Sequence, residues 1–477
     1  MLSRRTVLLG ALAAPIAVPA IAQTQDSPAT VLRLQRRSIE VKGKSASVFG
    51  IRQPDGTDGL TTMIGKPFRV RVENHIDEPS LIHWHGLTPP WQQDGVPGIS
   101  APAIPPGGSA DYDFPLRFGG TFWMHSHQGL QEQLLMAAPL IIRDPRDRSD
   151  EQDVVVMLTD FSFTPPEQIM AQLKKGMAMP MPMPMGGGSS MPGMANMPGM
   201  TMGGPQAAPD LNDVKYDAFL ANDRTLADPD VVKVEPGGSV RLRVINSSSM
   251  SAYHIDLGRL DGELIAVDGL PVAPVKRRRF PITVAQRLDI RVVLPRAPGA
   301  HPVLAVLEGE RNQTGVILLA GNAKVTRIPD MAAKASVALT LDLESRLRAA
   351  APLKPRKADR VHKLDLTGSM MSYVWSINNV VWNPDTPPLP LATGERVELV
   401  LTNKTPMPHP MHLHGHPFQV VAIDGKRFAG AVRDTVLVPP GRQVAVAFDA
   451  DNPGHWAFHC HLLYHMEAGM FATFRYV

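Results

Sequence analysis

Apolar and polar residues alternate in three stretches that lie far apart along the chain: RVRVEN (69–74), RLRVIN (241–246) and RVELVLTN (396–403). A period of two puts successive side chains on opposite faces, so each stretch predicts a β-strand with one buried face. Each ends on asparagine and leads into a second strand that carries histidine, in GKPFRVRVENHIDEPSLIHWHG from Gly65, PGGSVRLRVINSSSMSAYHIDLG from Pro236 and TGERVELVLTNKTPMPHPMHLHG from Thr393. Aligning Asn74, Asn246 and Asn403 makes His83, His254 and His412 equivalent, with a one-residue gap in the middle copy. Two positions later stand His85, Asp256 and His414.

A second triple follows in the same order: GGTFWMHSH, PGAHPVLAV and PGHWAFHCH, ending at His127, Val306 and His461. His125, Leu304 and His459 are equivalent in it, and between the pairs stand Ser126, Ala305 and Cys460. Two motifs repeated in order three times predict three related β domains, and strands with one buried face predict Greek-key sandwiches. The fold class is therefore all-β. Domains are expected over 23–146, 147–330 and 361–477, with 331–360 as an Ala-, Lys- and Pro-rich linker that is helical in part.

Composition agrees, since 39 glycines and 46 prolines accompany few long helical patterns in 477 residues. The formal net charge of +3 includes Arg4 and Arg5 of a segment expected to be removed, so nothing draws the protein to nucleic acid. The basic run Lys276 to Arg279 reads as a solvated turn face. Residues 1–22 carry a twin arginine, an apolar stretch too short to span a bilayer and a small-residue cleavage pattern, Ala20-Ile21-Ala22. They predict a twin-arginine signal peptide and a periplasmic protein. No other stretch could cross a membrane. A single cysteine permits no internal disulfide in that oxidising compartment, which leaves Cys460 as a packing residue, a reactive thiol or a metal ligand.

Eleven of the sixteen histidines fall in four clusters: His83 and His85; His125 and His127; His409, His412, His414 and His416; His459, His461 and His465. Side chains two apart on a strand share a face, so the pairs His83/His85, His125/His127, His412/His414 and His459/His461 each aim two imidazoles one way. If the first and third repeats face each other, these eight meet and the middle repeat need supply nothing. Cys460 has the opposite parity to its neighbours, as His409 has to His412 and His414. With His465 and Met470 they make a second set. Two histidines, a cysteine and a weak axial methionine suit a blue-copper electron-transfer site, whereas structural zinc takes four closed N or S ligands without a thioether.

At HWHG, HSH, HPMHLHG and HCHLLYHMEAGM the chain resembles the multicopper oxidases, whose three-domain, laccase-like members carry these motifs in this order over nearly the whole mature chain. The resemblance implies three cupredoxin-like domains and four copper ions. It places type 1 copper on His409, Cys460, His465 and Met470, and type 2 copper on His83 and His412. The type 3 pair falls on His85, His125, His127, His414, His459 and His461. His416 matches no ligand position and reads as a strand residue. Substrate electrons would enter at type 1 copper and pass through the Cys-His link to the trinuclear cluster, where dioxygen becomes water. That reduction consumes protons. Asp94, in WQQDG, matches a family acid beside the cluster, and Met466 stands where some members have a relay glutamate, which makes Glu467 a candidate substitute.

Ten methionines lie between 177 and 202, alternating with prolines and glycines that preclude a regular helix or core strand. Thioethers favour cuprous copper, so this segment is a candidate to gather additional Cu(I) near an electron-entry site. The ending HCHLLYHMEAGMF is also similar to that of periplasmic copper-resistance oxidases, although the enterobacterial cuprous oxidases carry their methionine segment in the third domain rather than the second. The expected function is a monomeric periplasmic multicopper oxidase acting on dioxygen and Cu(I), and on phenols or aromatic amines. The alternatives are a general laccase without a Cu(I) role, or a non-catalytic copper-binding or scaffold protein.

Overall fold

Asn74, Asn246 and Asn403 end the strands Pro67–Asn74, Ser239–Asn246 and Arg396–Asn403, and all three are buried. Each Oδ1 accepts the N–H two residues on, from Ile76 at 3.0 Å, Ser248 at 3.1 Å and Thr405 at 2.8 Å. Each Nδ2 donates to nearby carbonyls: Glu78 and Ile104, Ser251, and Met407 and Val438. The repeated asparagine is thus an Asx turn that satisfies buried backbone groups where the chain leaves one sheet.

Each of these strands pairs in parallel with the strand that opens its sheet: Asn74 opposite Leu34, Asn246 opposite Leu158 and Asn403 opposite Leu366. Each pairs antiparallel on its other side, with Ser109–Pro115, Arg287–Val293 and Gln443–Asp449. The computed structural model describes residues 29–175 and 211–477, so the expected signal segment and the methionine-rich segment lie outside the described residues. Six sheets form three packed pairs: two of four strands, then one of six with one of five, then one of seven with one of five. Non-sequential neighbours in each sheet give Greek-key crossovers, and the protein is all-β, with three cupredoxin-like sandwiches. Each pair closes on its own apolar cluster, around Phe68 and Trp84, around Tyr253 and Phe280, and around Trp375 and Phe458.

The helices are short: Pro166–Lys174, Asp342–Arg346 in the expected linker, and Leu463–Glu467. Among the described residues no helix is long and apolar enough to cross a membrane. In the middle sandwich His254, the counterpart of His83 and His412, meets the Val337 carbonyl through Nε2 at 2.9 Å. The position that carries a cluster imidazole in the outer copies here anchors the linker.

Candidate metal centre

The strands Ile82–His85 and Gly120–Ser126 pair with His83 opposite His125. In the third sandwich His409–Leu413 and His455–Cys460 pair with His412 opposite His459 and Met411 opposite Cys460. These two edges face each other, and their eight imidazoles are buried together. Nε2 of His412 lies 3.4 Å from Nε2 of His83, and Nε2 of His459 lies 3.0 Å and 3.3 Å from those of His414 and His127. Nδ1 of His85 is 3.4 Å from Nε2 of His125, and His461 Nε2 is buried without a hydrogen-bond partner. Three groups within this set bring three ligand atoms within 4.8 Å of one another: His83, His85 and His412; His85, His125 and His461; His127, His414 and His459.

Burial holds His85, His125, His127, His414, His459 and His461 well below the ordinary imidazole range, and lowers His412 as well. These seven imidazoles are therefore neutral, with in-plane lone pairs available to a metal. Nitrogens that face each other without a charged proton between them, and an orphaned Nε2, fit a set of cations better than a hydrogen-bonded core.

Outward nitrogens of six imidazoles face three buried carboxylates, and each carboxylate joins an imidazole of the first sandwich to one of the third. Asp94 contacts His414 Nδ1 at 2.8 Å and His83 Nδ1 at 3.3 Å, while its carbonyl takes His83 Nδ1 at 2.8 Å. Asp434 contacts His85 Nε2 at 3.1 Å, and its carbonyl takes His412 Nδ1 at 2.9 Å. Glu132 contacts His125 Nδ1 at 2.8 Å and points its other oxygen, which has no hydrogen-bond partner, toward His461 Nδ1 at 3.9 Å. Burial, with the charge of Asp160, pushes Glu132 well above the carboxylate range. Outer partners of this kind fix tautomer and ring orientation. His83, Asp94 and His414 also fall close enough to resemble a metal triad. Because Asp94 meets their Nδ1 atoms, which hydrogen bonds already occupy, it is a brace behind the rings.

On the other face of the Cys460 strand lies a second group. Cys460 Sγ is 3.6 Å from His409 Nδ1 and 4.0 Å from His465 Nδ1, and the two Nδ1 atoms are 3.3 Å apart. Thr405 Oγ1 holds His409 Nε2 at 2.7 Å and Asp213 holds His465 Nε2 at 2.9 Å, so both rings present Nδ1 to the sulfur. Met470 is fully buried in the same apolar cluster as Cys460, and its carbonyl accepts the Cys460 N–H at 3.1 Å. Burial pushes the thiol far above its ordinary value, so a cation between these rings is what would make it a thiolate.

The structure therefore brings together the eight histidines on one side and His409, Cys460 and His465 on the other, with Met470 beside them and Asp94 behind the first set. Glu467 departs from expectation. Its side chain is exposed, two residues past His465 on the outer face of a one-turn helix, and among the described residues it bonds none of the imidazoles. His416, expected in a strand, is instead buried in the connection between the strands His409–Leu413 and Phe418–Ile423, with Nε2 2.7 Å from Tyr476 Oη. Glu132 and Thr405 stand near histidine motifs and Asp434 and Asp213 do not, so the sequence carried no shared signal for them, and only the fold shows which of these side chains turn inward.

Models of the multicopper oxidase family match residues 34–147, 152–321 and 355–477. The chain is 31% identical over 425 residues to Multicopper oxidase MmcO of Mycobacterium tuberculosis (strain ATCC 25618 / H37Rv), covering 88% of this chain and 81% of that one. It is 29% identical over 510 residues to a Copper resistance protein A homolog of Pseudomonas syringae pv. tomato (strain ATCC BAA-871 / DC3000), covering 86% of each. The crystal structure of a multi-copper oxidase from Pseudomonas thermotolerans superposes with a TM-score of 0.71 at 23% identity, over 94% of this chain and 98% of that one, which is a likeness of fold.

Proposed function

Because this chain belongs to the multicopper oxidase family and is an oxidoreductase that uses oxygen, we propose that it oxidises Cu(I) in the periplasm. It would act as a monomer of three domains over 23–146, 147–330 and 361–477, joined by 331–360. His409, Cys460, His465 and Met470 would hold type 1 copper, His83 and His412 type 2 copper, and His85, His125, His127, His414, His459 and His461 the type 3 pair. Four copper ions bound there supply single-electron uptake from a reductant and four-electron delivery to dioxygen. The observation that carries this reading is the divergence at one strand: the Cys460 thiol faces one group while the flanking imidazoles of His459 and His461 face the other. A few covalent bonds then join the two groups.

The chain's own groups prepare this chemistry. Thr405 and Asp213 fix the type 1 rings, Asp94 and Asp434 fix cluster rings from behind, and Glu132 braces His125 at Nδ1. Asp94, one of three buried acids against the cluster rings, would also serve proton supply, a role for which exposed Glu467 has no contact with an imidazole to support it.

Two features support Cu(I) as reductant, alongside phenols or aromatic amines. The ten thioethers between 177 and 202 suit a soft cation. Asp213, eleven residues past Met202, bonds both His465 Nε2 and the Tyr373 hydroxyl, so the chain leaving that segment is pinned to the electron-entry ring. Relatives named copper resistance protein agree with this choice. The twin-arginine segment 1–22 supports export. Steady-state kinetics with Cu(I) and with a phenol, on intact protein and on protein lacking 177–202, test it. Loss of Cu(I) turnover by at least about tenfold with phenol turnover kept or raised is expected. Undiminished Cu(I) turnover would leave a general laccase.

A further inference from the structure

The middle sandwich offers no imidazole or thiol to either group, yet one of its side chains grips a carboxylate behind the cluster rings. Arg287 opens the strand Arg287–Val293 and is completely buried. Its Nη1 donates to Asp434 Oδ1 at 2.9 Å, and its Nη2 pairs with Asp434 Oδ2. Nε donates to the Thr121 carbonyl at 3.2 Å, on the first-sandwich strand that carries His125. The guanidinium is fixed from its own side by the carbonyls of Ala285 at 2.9 Å and Asp268 at 3.1 Å. All three sandwiches therefore meet at one guanidinium.

Asp434 is the group that orients His85. The other cluster rings whose outward partners are seen, His83, His125, His412, His414 and His459, turn Nδ1 outward. His85 is reversed, with Nε2 toward Asp434 at 3.1 Å and Thr435 Oγ1 at 3.3 Å, and Nδ1 inward. Thr435 Oγ1 in turn donates to Asp434 Oδ1 at 2.8 Å. The glycine of HWHG completes the arrangement. A Cβ at Gly86, which has φ +88°, would lie 2.6 Å from Arg287 Nη2 and 2.6 Å from Asp434 Oδ2, so only glycine leaves room for the pair beside His85.

We propose that Arg287 is a positioning residue for the trinuclear site: by fixing Asp434 it holds His85 with Nδ1 toward the cluster, and so the ligand-free middle domain sets the geometry of a site built by the other two. A planar fork gripping a carboxylate fixes direction in a way that a point charge does not. A buried ion pair is poor evidence for stability alone, and here it stands directly behind a ligand ring. This role rests on the imidazoles holding copper, and wild-type copper content tests that separately.

Arg287→Met and Arg287→Lys are compared with wild type in copper per chain, type 1 visible absorption, type 2 electron paramagnetic resonance and the rate of copper loss to a chelator. Expected for Arg287→Met is an unchanged type 1 band with cluster copper lost at least about tenfold faster and an altered type 2 signal, and for Arg287→Lys an intermediate result. If the Met variant does not fold, the Lys variant carries the test. Full copper with wild-type signals and release rates overturns the proposal. So does parallel loss of all copper, type 1 included, which would make Arg287 a folding residue only. Wild-type protein that loads no cluster copper would instead defeat the assignment of the imidazoles.

Discussion

Glu132 and Glu467 show how much one residue's role depends on its surroundings. Both are glutamates close in sequence to a histidine motif, but only Glu132 is buried, with Oε2 2.8 Å from His125 Nδ1. An outer partner that fixes the orientation of a ligand imidazole is worth about 10- to 100-fold in metal affinity or activity. Glu132→Ala, which removes that contact, is therefore expected to lower dioxygen reduction by about that factor, and to release cluster copper faster, while type 1 absorption stays as in wild type. Glu467→Gln should match wild type in rate and pH profile. Stopped-flow reoxidation and copper analysis of the two variants check this, and a larger effect from Glu467 would reverse the roles assigned here. The grouping of eight histidines apart from His409, Cys460 and His465 was legible in the sequence because parity along a strand decides which way side chains point. Glu132, Asp434 and Asp213 were not, since a strand pattern does not tell which acids a neighbouring domain will bury.

Among the elements, the segment after HWHG shows turn chemistry and site chemistry in adjacent residues. Asp94 alone could be read as an ordinary Asp-Gly turn. Gly95 has φ +89°, and a Cβ there would lie 1.8 Å from the Ile82 carbonyl, so this turn packs directly on the strand that carries His83 and His85. Gly95→Ala combines a left-handed backbone with a clash against backbone rather than a flexible side chain, at a cost of about 3 kcal/mol. Its expected signature is a lower Tm together with faster loss of cluster copper, because the strand bearing two rings and the acid behind them shift together. An unchanged Tm by calorimetry would contradict it. The alternating stretches predicted the strands of the three repeats, and the structure adds why each ends on asparagine. The helix Asp342–Arg346 was expected only as a helical part of the linker, because one turn in a Pro-rich stretch is fixed by packing rather than by its own pattern.

At the level of the whole molecule, the linker is held to the middle sandwich by His254 and by Glu308, whose Oε1 accepts the Leu339 N–H at 2.5 Å. Burial pushes Glu308 from 4.5 up to about 7, with the Leu339 N–H opposing. Between those values the folded protein binds the proton more tightly than the unfolded chain. The stability this contributes is complete below about 4.5 and is lost as pH rises through about 7, a change of about 3 kcal/mol. Glu308→Gln keeps the acceptor and cannot ionise, so its Tm should exceed wild type at pH 8 and the difference should vanish near pH 5. A pH-independent difference would contradict this. The opposed outer domains were legible from the ligands lost in the middle copy, whereas the middle domain's reach to the cluster through Arg287 was not, because it runs through an arginine rather than a donor.

The two-sided strand at Cys460 is tested most directly by reconstituting Cys460→Ser with copper and measuring metal per chain beside the visible and paramagnetic spectra. Wild type should bind four coppers and the variant three, with the copper–thiolate absorption gone, the type 2 signal retained and turnover of every reductant abolished. A variant that loses the cluster copper as well, or one that keeps the thiolate band, would contradict the separation of the two sites.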